Sequence, residues 1–219
     1  MARMLADRDS SALHLNQARR HERLARRYRQ DAFANSIRSA IDSLQNKADI
    51  AADKELERQG ATDDVAAADA DLDDAIRSLF NSAEISEREN PGSGVLKSLF
   101  PEGGFTAITS ISTIQEPDAA DALAIRLENM GSTHALAPHA QKIRTLATAV
   151  RDAFAALETA IRTRKAAEAE EEISQAALRR QYELNYLEAR KQLGRTLAER
   201  IFPATRASSP AEEPAPNPA

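Results

Sequence analysis

The sequence predicts an all-α protein, on three observations. From residue 138 to about 202 the chain has one Gly and, after Pro138, no proline, while Ala, Leu, Glu, Arg, Lys and Gln dominate; these are the strong helix formers. Only 4% of residues are aromatic, none is Trp, seven are Gly, and the 42% hydrophobic content comes mainly from Ala, Leu and Ile, a helical-bundle composition. Apolar residues recur at steps of three and four over most of the chain. A helix over residues 138–202 would be about 95 Å long, which calls for an elongated antiparallel bundle rather than one compact ball. The predicted architecture has two long helices, two shorter ones and a Gly/Pro-rich irregular crossover. Residues 11–202 are expected to form a single elongated bundle with the crossover at 89–115. Residues 1–10 are expected to be flexible, and 203–219 to be a disordered Pro/Ala-rich tail.

The first long helix opens near Asp9, Ser10 or Ser11, any of which can accept from an orphan amide, and is expected to run to about Arg58. Its stripe is Leu24, Tyr28, Phe33, Ile37, Ile41, Leu44, Ala48, Ala52 and Leu56, with Gly60 as its stop. A turn at residues 59–61 then makes an αα-hairpin with a second helix that starts at Thr62, where Asp63 and Asp64 suit the positive end of the macrodipole. Val65, Ala68, Leu72, Ile76, Leu79 and Ala83 form its buried face. Asp69, Asp71, Asp73 and Asp74 form an opposite, solvated face; a calcium loop would need a central Gly and a terminal Glu that this Ala-rich helical stretch lacks.

The crossover contains Pro91, Gly92, Gly94, Pro101, Gly103 and Gly104. Val95 to Phe100 has room for one or two helical turns, and residues 106–111 for a short extended piece. Phe105, Ile108, Ile111 and Ile114 are too apolar to be left in water. The run from Gly92 to Ser98 superficially resembles a phosphate loop, but Leu96 stands where that motif needs Gly and no strand precedes it. Pro117 opens a third helix at the position proline prefers, with Leu123, Leu127 and Met130 as core contacts and Gly131 as its end.

The last helix changes character along its length. Ile143, Leu146, Val150, Phe154, Leu157 and Ile161 lie on one face. Between Arg162 and Glu172 charges replace the stripe, so this part is expected to be wet on most sides. Beyond it Leu178, Tyr182, Tyr186, Ala189, Leu193, Leu197 and Ile201 form a second stripe, with Leu184 and Leu187 pointing elsewhere. Gly194 is expected to be helical and to mark the close approach of another backbone.

The formal charge is −5, and it is uneven: residues 61–131 hold 4 basic and 14 acidic side chains, so the acidic part is the middle. With no Cys there is no disulfide framework, no thiolate metal site and no Cys nucleophile. The four histidines, His14, His21, His134 and His139, have neither i, i+4 ligand spacing nor a Glu-x-x-His partner. No nucleophile elbow or dinucleotide fingerprint occurs. No window reaches the roughly 20 apolar residues that a membrane span requires. The chain is therefore expected to be cytoplasmic, not inserted in a membrane, without cofactor or metal, and not an enzyme, although a site assembled from distant residues would be invisible at this level.

Two surfaces stand out. Tyr182, Leu184, Tyr186 and Leu187 put apolar groups on more than one side of the last helix and form a candidate protein interface, from which a scaffold or adaptor role is read, as a homo-oligomer or as a subunit of a larger assembly with other protein partners. Arg19, Arg20, Arg23, Arg26, Arg27 and Arg29 form the densest basic run, a candidate face for nucleic acid or another anionic surface. Its structural alternative is a solvated face paired with acidic residues of a neighbouring helix.

Overall fold

The computed structural model describes residues 4–202. Within them lie α1 (Ser11–Arg27), α2 (Asp31–Glu89), α3 (Val95–Leu99), α4 (Thr106–Thr109), α5 (Glu116–Asn129) and α6 (Pro138–Ile201). The protein is all-helical, with no strand among the described residues. The predicted tail lies outside them.

The first chain reversal is not where glycine placed it. Residues 59–61 are helical within an unbroken α2 of 59 residues. Gly60 costs about 1 kcal/mol there relative to Ala. Around it Glu55 accepts from Arg58 at 2.8 Å and Gln59 at 2.9 Å, and Thr62 bonds the Arg58 carbonyl at 3.0 Å. The reversal occurs instead at residues 28–30. Arg29 takes a left-handed conformation with φ 58°, its amide donates to Arg26 O at 3.0 Å, and that of Gln30 to Ala25 O at 2.8 Å. This is a Schellman cap with Arg in the position glycine normally fills. It separates α1 from α2 and takes Tyr28 out of the predicted stripe, leaving it 38% exposed.

The chain divides into two compact units. The first comprises Met1–Asp53 and Lys165–Ala219. Here α1 and the opening of α2 pack with the latter part of α6. Lys47 meets Glu170 at 3.2 Å and the Phe33 carbonyl accepts from Asn185 Nδ2 at 3.1 Å, so α2 and α6 run antiparallel. Ser11 bonds Glu171 and Gln175, and His21 meets Asn185 further along, so α1 and α6 run parallel. Leu15, Ala18, Phe33, Ile37, Ile41, Leu44, Leu178, Tyr182 and Ala189 fill the core. Ahead of α1, Leu5 is buried, the Ala6 carbonyl accepts from His14 Nε2 at 3.0 Å, and Asp7 pairs with Arg179 at 2.7 Å.

Gly194 breaks α6 with φ 75° and ψ 167°, a region open in practice only to glycine. A Cβ built on it meets nothing within 4 Å; the conformation, and not the expected close backbone approach, requires Gly. The residues beyond fold back, so that Phe202 lies 5.1 Å from Tyr182 and 5.2 Å from Tyr186 between ring centroids. A straight helix would hold positions 182 and 202 about 30 Å apart.

The second unit is Lys54–Arg164. Leu72, Ile76 and Leu79 of α2 are fully buried against Leu99, Leu123, Leu127, Ile143 and Val150, each contributing about 1.5–3 kcal/mol by burial. The predicted face of residues 65–83 is thus the observed one, whereas Leu56 is 65% exposed, since Glu55 beside it bonds Arg58 and Arg164. The Glu87 carboxylate accepts from the Gly94 amide at 3.2 Å and the Ser93 hydroxyl at 3.0 Å, closing the glycine loop with the protein's own anion. Phe80 packs edge-on to Phe100 and Phe105. The extended piece expected at 106–111 is the helical turn α4, and it buries Ile108, while Ile114 is 73% exposed, contrary to expectation. Arg126 of α5 donates to the Leu99 carbonyl at 3.1 Å. On the far side Arg144 grips Glu128 at 2.9 Å, and Arg151 bonds Asp118 at 2.7 Å and Asp121 at 2.8 Å, pinning α5 to α6.

Candidate interaction surfaces and the buried polar sites

The basic run forms an exposed face of α1 and its cap. Ala18, His21 and Ala25 turn into the core, which leaves Arg19, Arg20, Arg23, Arg26, Arg27 and Arg29 outside. Arg19 bonds the Gln45 amide at 3.0 Å, and Arg26 reaches Glu22 at 3.0 Å and Asn35 at 3.3 Å. Among the described residues, Arg20, Arg23, Arg27 and Arg29 form no ion pair with a carboxylate, while Arg26 pairs with Glu22 of its own helix. Beside it an open groove of about 770 Å³ is lined by Ala12, Leu15, Asn16, Arg19, Glu22, Arg23, Gln45 and Ala48.

The four residues of the candidate protein interface separate in the structure. Tyr182 is fully buried in the first unit's core, and Tyr186 is half-buried against Phe202 with Arg190 5.8 Å above its ring. Leu184 and Leu187 are 51% and 61% exposed, and Ile173 is 64% exposed. At 100° per residue, Ile173, Ala177, Arg180, Leu184, Leu187 and Lys191 fall within about 40° of one line along α6. Their spacing of four and three matches that of the a and d positions of a heptad, with Ile173, Leu184 and Leu187 as its large apolar members. Leu178, Tyr182, Asn185 and Ala189 occupy the opposite side, so this stretch of α6 has two faces that a helix could cover.

Between α1, α2 and α6 lies a buried polar site absent from the sequence reading. His21 Nδ1 lies 2.9 Å from the Ile201 carbonyl and Nε2 lies 3.4 Å from Asn185 Nδ2. Asn185 Oδ1 accepts from Ser36 and Gln181, each at 2.9 Å. All four hydrogen-bonding positions of the amide are used, and the pattern calls for neutral imidazole with its proton on Nδ1. Burial pushes the His21 pKa down to about 4, against the smaller opposing effects of the Ile201 carbonyl and Glu22. The signal was available: His21 falls in register with Ala18 and Ala25, and Asn185 with Tyr182 and Ala189.

In the second unit Glu116 is 2% exposed, and Asp73 and Asp69 are the charged groups that act on its carboxyl. Two aspartates expected on a solvated face are thereby half-buried. Burial first, then Asp73 and Asp69, raise the Glu116 pKa to about 8. Its register with Ala120, Leu123 and Leu127 marks it as core-facing. Among the described residues, no group of three or more His, Asp or Glu side chains is arranged to hold a metal ion, and no helix is long and apolar enough to cross a membrane. No family model matches the chain, and no curated protein or solved structure shows significant similarity to it.

Proposed function

We propose that this chain is a non-enzymatic scaffold or adaptor that works in the cytoplasm through its helix surfaces and self-associates through the outer face of α6. The exposed heptad line from Ile173 to Lys191 carries this reading, because water otherwise meets Ile173, Leu184 and Leu187 in full register. A second copy is the favoured occupant. Glu183 and Arg190 flank the same edge of the line one heptad apart, so an antiparallel copy sets each against its complement. Arg180 and Lys191 lie on the line itself and restrict the apolar seam, which suits a reversible association. An elongated antiparallel bundle, as the sequence predicts, would present that face along its side. Light scattering coupled to size exclusion tests this: a discrete oligomer at low and high salt, reduced to monomer by Leu184→Glu with Leu187→Glu, is expected. A monomer at all concentrations, or an oligomer indifferent to both substitutions, rejects it.

Arg20, Arg23, Arg27 and Arg29, which are exposed and form no ion pair with a carboxylate among the described residues, favour a second reading, in which α1 binds nucleic acid or another anionic surface. Binding to such a polyanion should weaken steeply with salt and disappear when the six arginines are replaced by Gln. Salt-independent binding would rule this reading out.

A further inference from the structure

We propose that Glu116, Asp73 and Asp69 form a proton-sharing carboxyl site, which clasps the first turn of α5 to α2 while its proton is bound and releases that turn when the proton leaves. Ionised carboxylates only accept hydrogen bonds. Yet Glu116 Oε1, Asp69 Oδ1 and Asp73 Oδ1 are all buried without a donor, Glu116 is almost wholly enclosed, and both aspartates act on its carboxyl. Carboxyl groups in such contact cannot all be ionised. One proton turns the contact from repulsion into a hydrogen bond, and Glu116, the most enclosed of the three, is where it resides.

The cations of the other elements in this unit named here are engaged elsewhere or exposed. On α2, Arg77 is engaged by Asp74 at 2.7 Å. On α6, Arg151 is held by Asp118 and Asp121. Lys97 of α3 is exposed, and α4 has no ionisable side chain. The amides at the start of α5 favour an ionised Glu116, but enclosure and two like charges oppose this more strongly. Because Glu116 opens α5 directly before Pro117, the site controls the docking of that helix's first turn and of the irregular chain leading into it.

The sign of the effect is set by a folded-state pKa raised above the ordinary value. The stability it contributes is complete below the ordinary carboxylate pKa of 4.5 and is lost as pH rises toward about 8. Thermal unfolding of the full chain is compared between pH 5 and pH 9 for the wild type and Glu116→Gln. The wild-type Tm should fall relative to the variant up to about pH 8 and then run parallel to it. Amide exchange in residues 112–122 of the wild type should also rise beyond its intrinsic pH dependence, and that of the variant should not. Profiles parallel throughout would overturn the proposal. So would a saturable Tm gain from Ca²⁺ or Mg²⁺ at pH 8 that Glu116→Gln abolishes, which would make the site a cation site. If the variant does not fold, carboxyl ¹³C titration of the wild type decides: a midpoint far above 4.5 supports the site, and one near 4.5 rejects it.

Discussion

His21 stacks on Phe202, with ring centroids 3.9 Å apart and planes 24° from parallel. The two residues come from opposite ends of the described chain, and they meet because α6 turns back at Gly194. Tyr182 lies edge-on to both rings. The stack, the Asn185 bonds and the glycine conformation therefore form one mechanical unit, and each can be perturbed separately.

Gly194→Ala should destabilise the first unit by about 1–3 kcal/mol, because the backbone conformation at this position is closed to residues with a Cβ. The added methyl itself has space. Denaturant unfolding would give the loss, and amide exchange should show it concentrated in residues 195–202. An unchanged midpoint would mean that the fold-back does not depend on Gly194.

The first unit should lose stability as pH falls from 6.5 toward 4. His21 is held neutral in the fold with its pKa lowered to about 4, so the unfolded chain binds the proton first and gains relative to the native state. The full effect is about 3 kcal/mol, taking about 1.4 kcal/mol per pH unit. Imidazole NMR signals of His21 should titrate with a midpoint near 4, and a midpoint near 6.5 would contradict this. The pH dependence expected from Glu116 has the opposite sign, so the two must be read from local probes.

Tyr182→Phe should leave stability unchanged or raise it by up to about 1 kcal/mol. The Tyr182 hydroxyl is buried without a hydrogen-bond partner, and removing an unsatisfied polar group relieves its desolvation penalty. Burial also pushes the phenol pKa upward. A fall in Tm on this substitution would show that the hydroxyl is satisfied in solution, by water or otherwise.

Arg29→Gly should stabilise the turn between α1 and α2 by about 1 kcal/mol. Arg29 occupies the left-handed position of a Schellman cap, where a side chain costs about 1–2 kcal/mol and Gly little. The gain is partly offset because Gly also increases the entropy of the unfolded chain. Thermal unfolding measures it, and a lower Tm would show that the Arg29 side chain contributes more than its backbone costs.

Local patterns determined much of this protein. Helical character, the buried faces at 65–83 and 178–189, the Pro117 start of α5 and the exposure of Leu184 and Leu187 all follow from residue type and from spacings of three and four. Those are properties of neighbours on one helix, so the chain declares them without reference to what lies across from it. Only the tertiary structure decided where the chain turns and which polar groups go inside. Gly60 and Gly194 are both lone glycines in long helical stretches. Gly60 stays helical, with nothing within 4 Å of an added Cβ, whereas beyond Gly194 a reversal lets Ile201 and Phe202 cover His21. Arg29 reverses the chain with no glycine because antiparallel packing of α1 on α2 stabilises its strained backbone. His21, Asn185 and Glu116 were legible as polar residues in a core register, but whether each meets a donor, an acceptor or another carboxylate depends on residues far away in sequence. Burial acts locally on each helix, whereas hydrogen bonding and charge depend on the partner, and the partner is supplied by the fold.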